Sequence, residues 1–151
     1  MQNLYSVKSI KRFIGMEGYG FNANLYLNNN KIAFVYDDAS GGEINFQFEN
    51  PQLEKDFQGF AVLTLGAEFD PYSMAEILVN DMVNESLQRK DLKALLAKKT
   101  VCKDKDGLFT LKTKFIGNEE RVINHIATKE KGAVLLNNIP FENAYTLYMG
   151  A

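Results

Sequence analysis

The sequence predicts an α+β fold: an N-terminal antiparallel β-meander covered by helices, followed by a helix, a β-hairpin and a further helix. Three observations carry this expectation. Residues 21–27 and 44–49 alternate apolar and polar side chains, a period of two that marks strands buried on one face. From residue 50 onward the period changes, and apolar residues recur at helical spacing between capping residues. The composition, 46% hydrophobic and 24% charged over 151 residues, is that of a globular chain able to build a core without disulfide or metal support.

The elements follow in order. Residues 5–14 alternate imperfectly and predict a first strand. After "GMEGYG", Phe21, Ala23, Leu25 and Leu27 point one way, and Asn22, Asn24 and Tyr26 the other. "NNNK" is a tight turn, since asparagine tolerates positive φ. "KIAFVYD" is apolar on both faces and reads as a central strand. In "EINFQFE", Ile44, Phe46 and Phe48 share a face, completing the meander. Asn50 as N-cap, Pro51 at the first helical position and Gly66 as terminator bound a covering helix. Leu53, Phe57, Phe60 and Ala61 line its inner side. Gly59 weakens that helix by roughly 1 kcal/mol relative to alanine.

Ser73 and Glu76 fit a capping box for the next helix. "DLKALLAKK" either continues it or forms a second short helix capped by Asp91. "KTVCKDKDGLFTLKTKF" reads as a hairpin turning at Asp106-Gly107. Asn118, Glu119, Glu120, Lys129, Lys131 and Gly132 supply the end signals of another helix. "AVLLNN" predicts a short strand. "PFENAYTLYMG" suits one or two helical turns with Phe141, Ala144, Tyr145 and Tyr148 on one side. The chain reads as a single domain over 1–151, with a two-lobed variant in which 1–66 is strand-rich and 71–151 mixed.

Residue counts exclude several chemistries. Cys102 is the sole cysteine and His125 the sole histidine, so neither an internal disulfide nor a cysteine-rich zinc site is available. No apolar run approaches the ~20 residues of a bilayer span, and the N-terminus lacks a signal-peptide pattern. A cytoplasmic chain with no membrane association and no cofactor is expected. Lys99 and Lys103 flank Cys102 closely enough to lower a thiol pKa, but no histidine accompanies it. His125, in "VINHIATK", reads as a partly buried or capping side chain.

Three motifs invite a functional reading. Gly15, Gly18 and Gly20 are ordered G-x-x-G-x-G and followed by a strand, unlike a dinucleotide fingerprint, which opens a helix. Asp37, Asp38 and Glu43, with Glu17 from the preceding loop, are candidate oxygen ligands for a hard cation such as Mg²⁺, and hence for metal-assisted phosphoester chemistry. Against this, aspartate, serine and glycine make ordinary hairpin connections, and Asp37 and Asp38 as strand neighbours point to opposite faces. "DKDG" fails as a calcium loop, because Leu108 and Phe115 fall where oxygen ligands belong.

The charge is uneven. Residues 1–80 hold five basic and ten acidic side chains, whereas residues 81–151 hold twelve and nine. Nine of the basic residues lie between Arg89 and Lys114. Within them, Lys99, Lys103, Lys105, Lys112 and Lys114 are the candidate partner- or nucleic-acid-binding set. Lys112 and Lys114 share one expected strand face, and Lys103 and Lys105 come from the strand opposite. Such a ribbon can follow phosphates, or its lysines can simply guard a sheet edge.

The run "EGYGFNANLY", a short Asn/Lys turn and then "VYDDASGGE" resembles small proteins of phage and plasmid genomes. The resemblance covers about the first third of the chain and brings no settled activity. It implies an accessory gene product acting on a host factor. Together these features give the leading expectation, a non-enzymatic interaction protein with a protein partner. Nucleic-acid binding through the 89–114 segment is the alternative, and a metal-dependent phosphoester enzyme a further one.

Overall fold

A computed structural model describes residues 4–150 of the chain. They form four helices and seven strands in two antiparallel sheets, and their contacts divide into two compact units, Met1–Ser86 and Leu87–Ala151. The division lies inside a long helix, whereas the seam expected between residues 66 and 71 is the loop 66–70 that precedes that helix.

The first unit is the predicted meander. Strands β1 (Tyr5–Gly15), β2 (Gly18–Leu27), β3 (Asn30–Asp37) and β4 (Asn45–Phe48) pair in sequence order. Phe21, Ala23 and Leu25 are buried as the alternation requires, and Leu27, at the end of β2, is half-buried. A register shift leaves Leu25 opposite Ala33 and Tyr26 opposite Lys31. Ile32 is therefore the extra residue, and Ile32 and Ala33 are buried in succession. A second shift, between Lys8 and Lys11 of β1, contains Ser9 at φ 56.

Helix α1 (Pro51–Leu65) begins as expected: the Asn50 side chain accepts the Leu53 N–H at 2.9 Å, and Gly66 ends it at φ 99. Phe57 is fully buried, with ring contacts to Tyr5, Phe46 and Phe48. Helix α2 runs unbroken over Pro71–Lys98, so "DLKALLAKK" is its continuation. Its start differs from the expected capping box. Pro71 takes the first helical position, as its fixed φ favours, and Asp70 is the cap, accepting from Ser73 N–H and hydroxyl. Glu76 is thereby free to accept the Ile44 N–H at 2.9 Å, and the Tyr72 hydroxyl donates to the Ile44 carbonyl. These two bonds fix the lead-in to β4.

In the second unit, β5 (Thr100–Asp104) lies between β6 (Gly107–Leu111) and β7 (Val134–Leu135). Adjacent residues of this central strand face opposite ways, and each face has its own core. Val101 joins Leu92, Leu136, Ala144 and Tyr145; Cys102 joins Val122, Ile126 and Leu135. Helix α4 (Phe141–Met149) covers the first and α3 (Glu119–Lys129) the second. Asn137, in a 3-10 turn after β7, ties the unit together. Its side-chain carbonyl accepts from Val101 N–H at 2.7 Å, and its side-chain amide donates to the Leu96 and Lys99 carbonyls at the end of α2.

Two expectations need correction here. The hairpin was expected to extend through Phe115, but β6 ends at Leu111. Beyond it the Thr100 hydroxyl holds the Thr113 carbonyl, taking the place of a ladder bond. Asn118 precedes α3 without capping it; its amide donates back to the Lys114 carbonyl at 3.0 Å.

Candidate functional site

Two of the three glycines of "GMEGYG", Gly15 and Gly20, are explained by the loop they meet, whereas Gly18 takes φ 111 at the turn with open space around it. The β1–β2 turn is Met16-Glu17, and the chain leaving β3 folds back onto it, with Glu17 N–H donating to the Ala39 carbonyl at 2.7 Å. A methyl group on Gly15 would collide with Ala39, and one on Gly20 with the Asp37 carbonyl and the Phe13 ring. Ala39 itself is buried in a left-handed conformation, φ 61, an uncommon state for a residue with a Cβ. Glycine is thus required for close backbone approach rather than for phosphate.

The four candidate metal ligands fall around this corner without forming a cluster. Asp37 accepts the Ala39 N–H at 2.9 Å, and Asp38 accepts the Ser40 N–H at 3.0 Å and its hydroxyl. Those bonds hold the Asp38 carboxyl below the usual carboxylate range. Glu17 runs past Gly41, its Cγ 3.2 Å from where a Cβ would stand. Glu43 lies toward Tyr72, whose hydroxyl pKa is pushed up by burial and then by Glu76, Glu43 and Glu54. Among the described residues no three His, Cys, Asp or Glu side chains converge as metal ligands. The aspartates act as the loop's own Asx-type hydrogen bonds.

The same corner presents an apolar end. Ile14 is 76% exposed, Met16 95%, Tyr19 67% and Phe13 37%. Ile14 and Tyr19 are direct cross-strand partners, and the Arg12 guanidinium lies 4.9 Å from the centre of the Tyr19 ring. Arg12, Phe13, Ile14 and Tyr19 border a shallow hollow of about 270 Å³. The signal in the sequence was "FIGMEGY": four large apolar residues within seven, at a turn where polar residues usually sit.

The basic set does not make a ribbon. Lys99 follows α2 and Lys105 lies in the β5–β6 turn, both exposed; Lys112 and Lys114 lie beyond β6. Lys103 is the only one within a strand, and its ammonium donates to the Leu147 carbonyl at 2.9 Å, at the end of α4. Cys102 is fully buried; burial first, then the charges of Glu130 and Asp104, push its thiol up to about 11. The flanking lysines do not lower it. His125 is exposed on α3 rather than buried or capping.

No described helix is long and apolar enough to cross a membrane. The chain matches no protein-family model, no curated protein and no solved structure.

Proposed function

We propose that this chain is a non-enzymatic interaction protein that binds a protein partner through the end of its β1–β2 hairpin. The observation that carries this is the exposure of Ile14, Met16 and Tyr19 at one hairpin end, where Ile14 and Tyr19 are cross-strand partners that border a hollow with Phe13. Single exposed apolar residues are normal on protein surfaces, but several large ones gathered at one hairpin end mark an interaction surface. The patch also rests on a stiff base, because the 37–42 loop is hydrogen-bonded against its back. A pre-organised patch loses little conformational freedom on binding.

Charge describes the partner further. Lys8, Lys11 and Arg12 supply three of the five basic side chains of residues 1–80, and all lie on β1. A partner with an apolar pocket and an acidic rim fits them. Strand addition along β1 is less suited: the Lys8–Lys11 irregularity and its lysines are devices that guard an edge strand. The resemblance of the first third to small phage and plasmid proteins supports a host factor as that partner. The basic segment offers less, since Lys103 is engaged at α4 and β6 carries no lysine.

The test compares capture from source-cell lysate by the parent chain and by an Ile14→Ser, Met16→Ser, Tyr19→Ser variant. The expected result is one protein retained by the parent and lost by the variant, with both chains folded. Equal capture by both overturns the assignment of the hairpin end.

A further inference from the structure

A hollow of about 480 Å³ lies between Leu111–Thr113 and α3, and nothing in the hairpin reading uses it. We propose that it binds a small organic phosphate: a phosphate monoester on an apolar or planar body. Its lining carries Lys112, Arg121 and His125 with the Asn124 amide, and Leu111 adds the main apolar surface, with Val122 behind it. Arg121, Asn124 and His125 are spaced i, i+3, i+4, so α3 presents them together on one side. Val122 and Ile126 turn inward to the core.

No acidic residue lines the hollow, and Lys112, Arg121 and His125 make no side-chain hydrogen bond or ion pair among the described residues. The hollow next to it, at the start of α3, holds Glu119 and Glu120 and shares Arg121 and Asn124. The Thr128 hydroxyl is already engaged with the Asn124 and His125 carbonyls. Two permanent cations without a direct ion-pair partner among the described residues match a phosphate dianion better than a single carboxylate. A guanidinium can also bind phosphate through two parallel hydrogen bonds. A bare phosphate would leave most of the volume and the apolar surface unused; hollows of roughly 300–1,000 Å³ suit whole small molecules. The wider surroundings agree, with twelve Lys and Arg against seven Asp and Glu in residues 87–151.

His125 is the only histidine, so its ring C–H signals in a proton NMR spectrum are unambiguous reporters. At fixed pH, phenyl phosphate and AMP should each give a saturable shift with a dissociation constant near or below roughly 1 mM. Inorganic phosphate and benzoate should each bind at least about tenfold more weakly. Arg121→Gln and Lys112→Gln, both at exposed positions, should weaken AMP by about tenfold or more. Lys129→Gln makes the same charge change on the same helix outside the hollow and should stay within about twofold. The proposal is overturned if no probe gives a saturable shift, if benzoate or inorganic phosphate binds as tightly as AMP, or if Lys129→Gln weakens binding as much as Arg121→Gln.

Discussion

The Lys103 ammonium donates to the Leu147 carbonyl at 2.9 Å, placing a positive charge at the carbonyl end of α4. This is a capping arrangement, favourable both as a hydrogen bond and against the helix dipole. Lys103→Met keeps the aliphatic stem and removes the charge. It should lower stability by about 1 kcal/mol in urea unfolding, whereas Lys105→Met, in the open turn, should change it by less than about 0.5 kcal/mol. Equal effects at the two positions would show that the α4 contact has no energetic weight.

Asn137 fills three hydrogen bonds with one side chain. Truncation leaves the Val101 N–H of the central strand without its acceptor, so Asn137→Ala should cost about 2–3 kcal/mol. Asn137→Asp keeps that acceptor but sets a carboxylate against the Leu96 and Lys99 carbonyls. It should be at least as damaging as Asn137→Ala, and a near-neutral result would contradict the clamp.

Gly59 is exposed in mid-α1, and a Cβ there would meet nothing within 4 Å. Gly59→Ala should therefore raise stability by about 0.5–1 kcal/mol, through helix propensity and a less flexible unfolded chain. A lowered unfolding midpoint would mean that the position is in contact after all.

Gly20→Ala should do the opposite, because the new methyl group meets the Asp37 carbonyl and the Phe13 ring. Overpacking of this kind costs about 1–3 kcal/mol. At Gly42 a Cβ would meet only the Ser40 hydroxyl, at 3.7 Å, and Gly42→Ala should lie within about 0.5 kcal/mol of the parent.

Cys102 sits at about 11, above the ordinary thiol value of 9.0. Burial favours the neutral thiol in the folded chain, while the unfolded chain ionises first as pH rises. Its contribution to stability is full below 9 and is lost as pH climbs through about 11. Iodoacetamide near pH 8 should label the unfolded chain readily and the folded chain very slowly. Rapid labelling of folded protein would contradict the burial of this residue.

The meander and α1 were legible because their information is local. The alternation of Phe21–Leu27, the cap at Asn50 and the stop at Gly66 each sit within a few residues of their effect. Pro71 and Asp70 were legible in principle, but the S-x-x-E pattern competed with them; Glu76 is spent on Ile44, 32 residues away in sequence. The end of β6 depends on Thr100 reaching Thr113, and the fate of Lys103 on where α4 ends. Neither has a local signature. The apolar hairpin end was present in "FIGMEGY", yet its exposure follows only from the 37–42 loop closing the opposite side. The Arg121–His125 stripe was visible as helical spacing in "RVINH", and only the position of Lys112 makes it one wall of a hollow.

In the proposed interaction, Met16 and its neighbours touch a protein partner, and a photo-crosslinking residue placed at position 16, activated in source cells, reports that contact. The expected result is one covalent adduct with a second protein, absent when Ile14→Ser and Tyr19→Ser are introduced and absent from the same probe at exposed position 63 on α1. Adducts of equal yield from positions 16 and 63, or none from position 16, would contradict it.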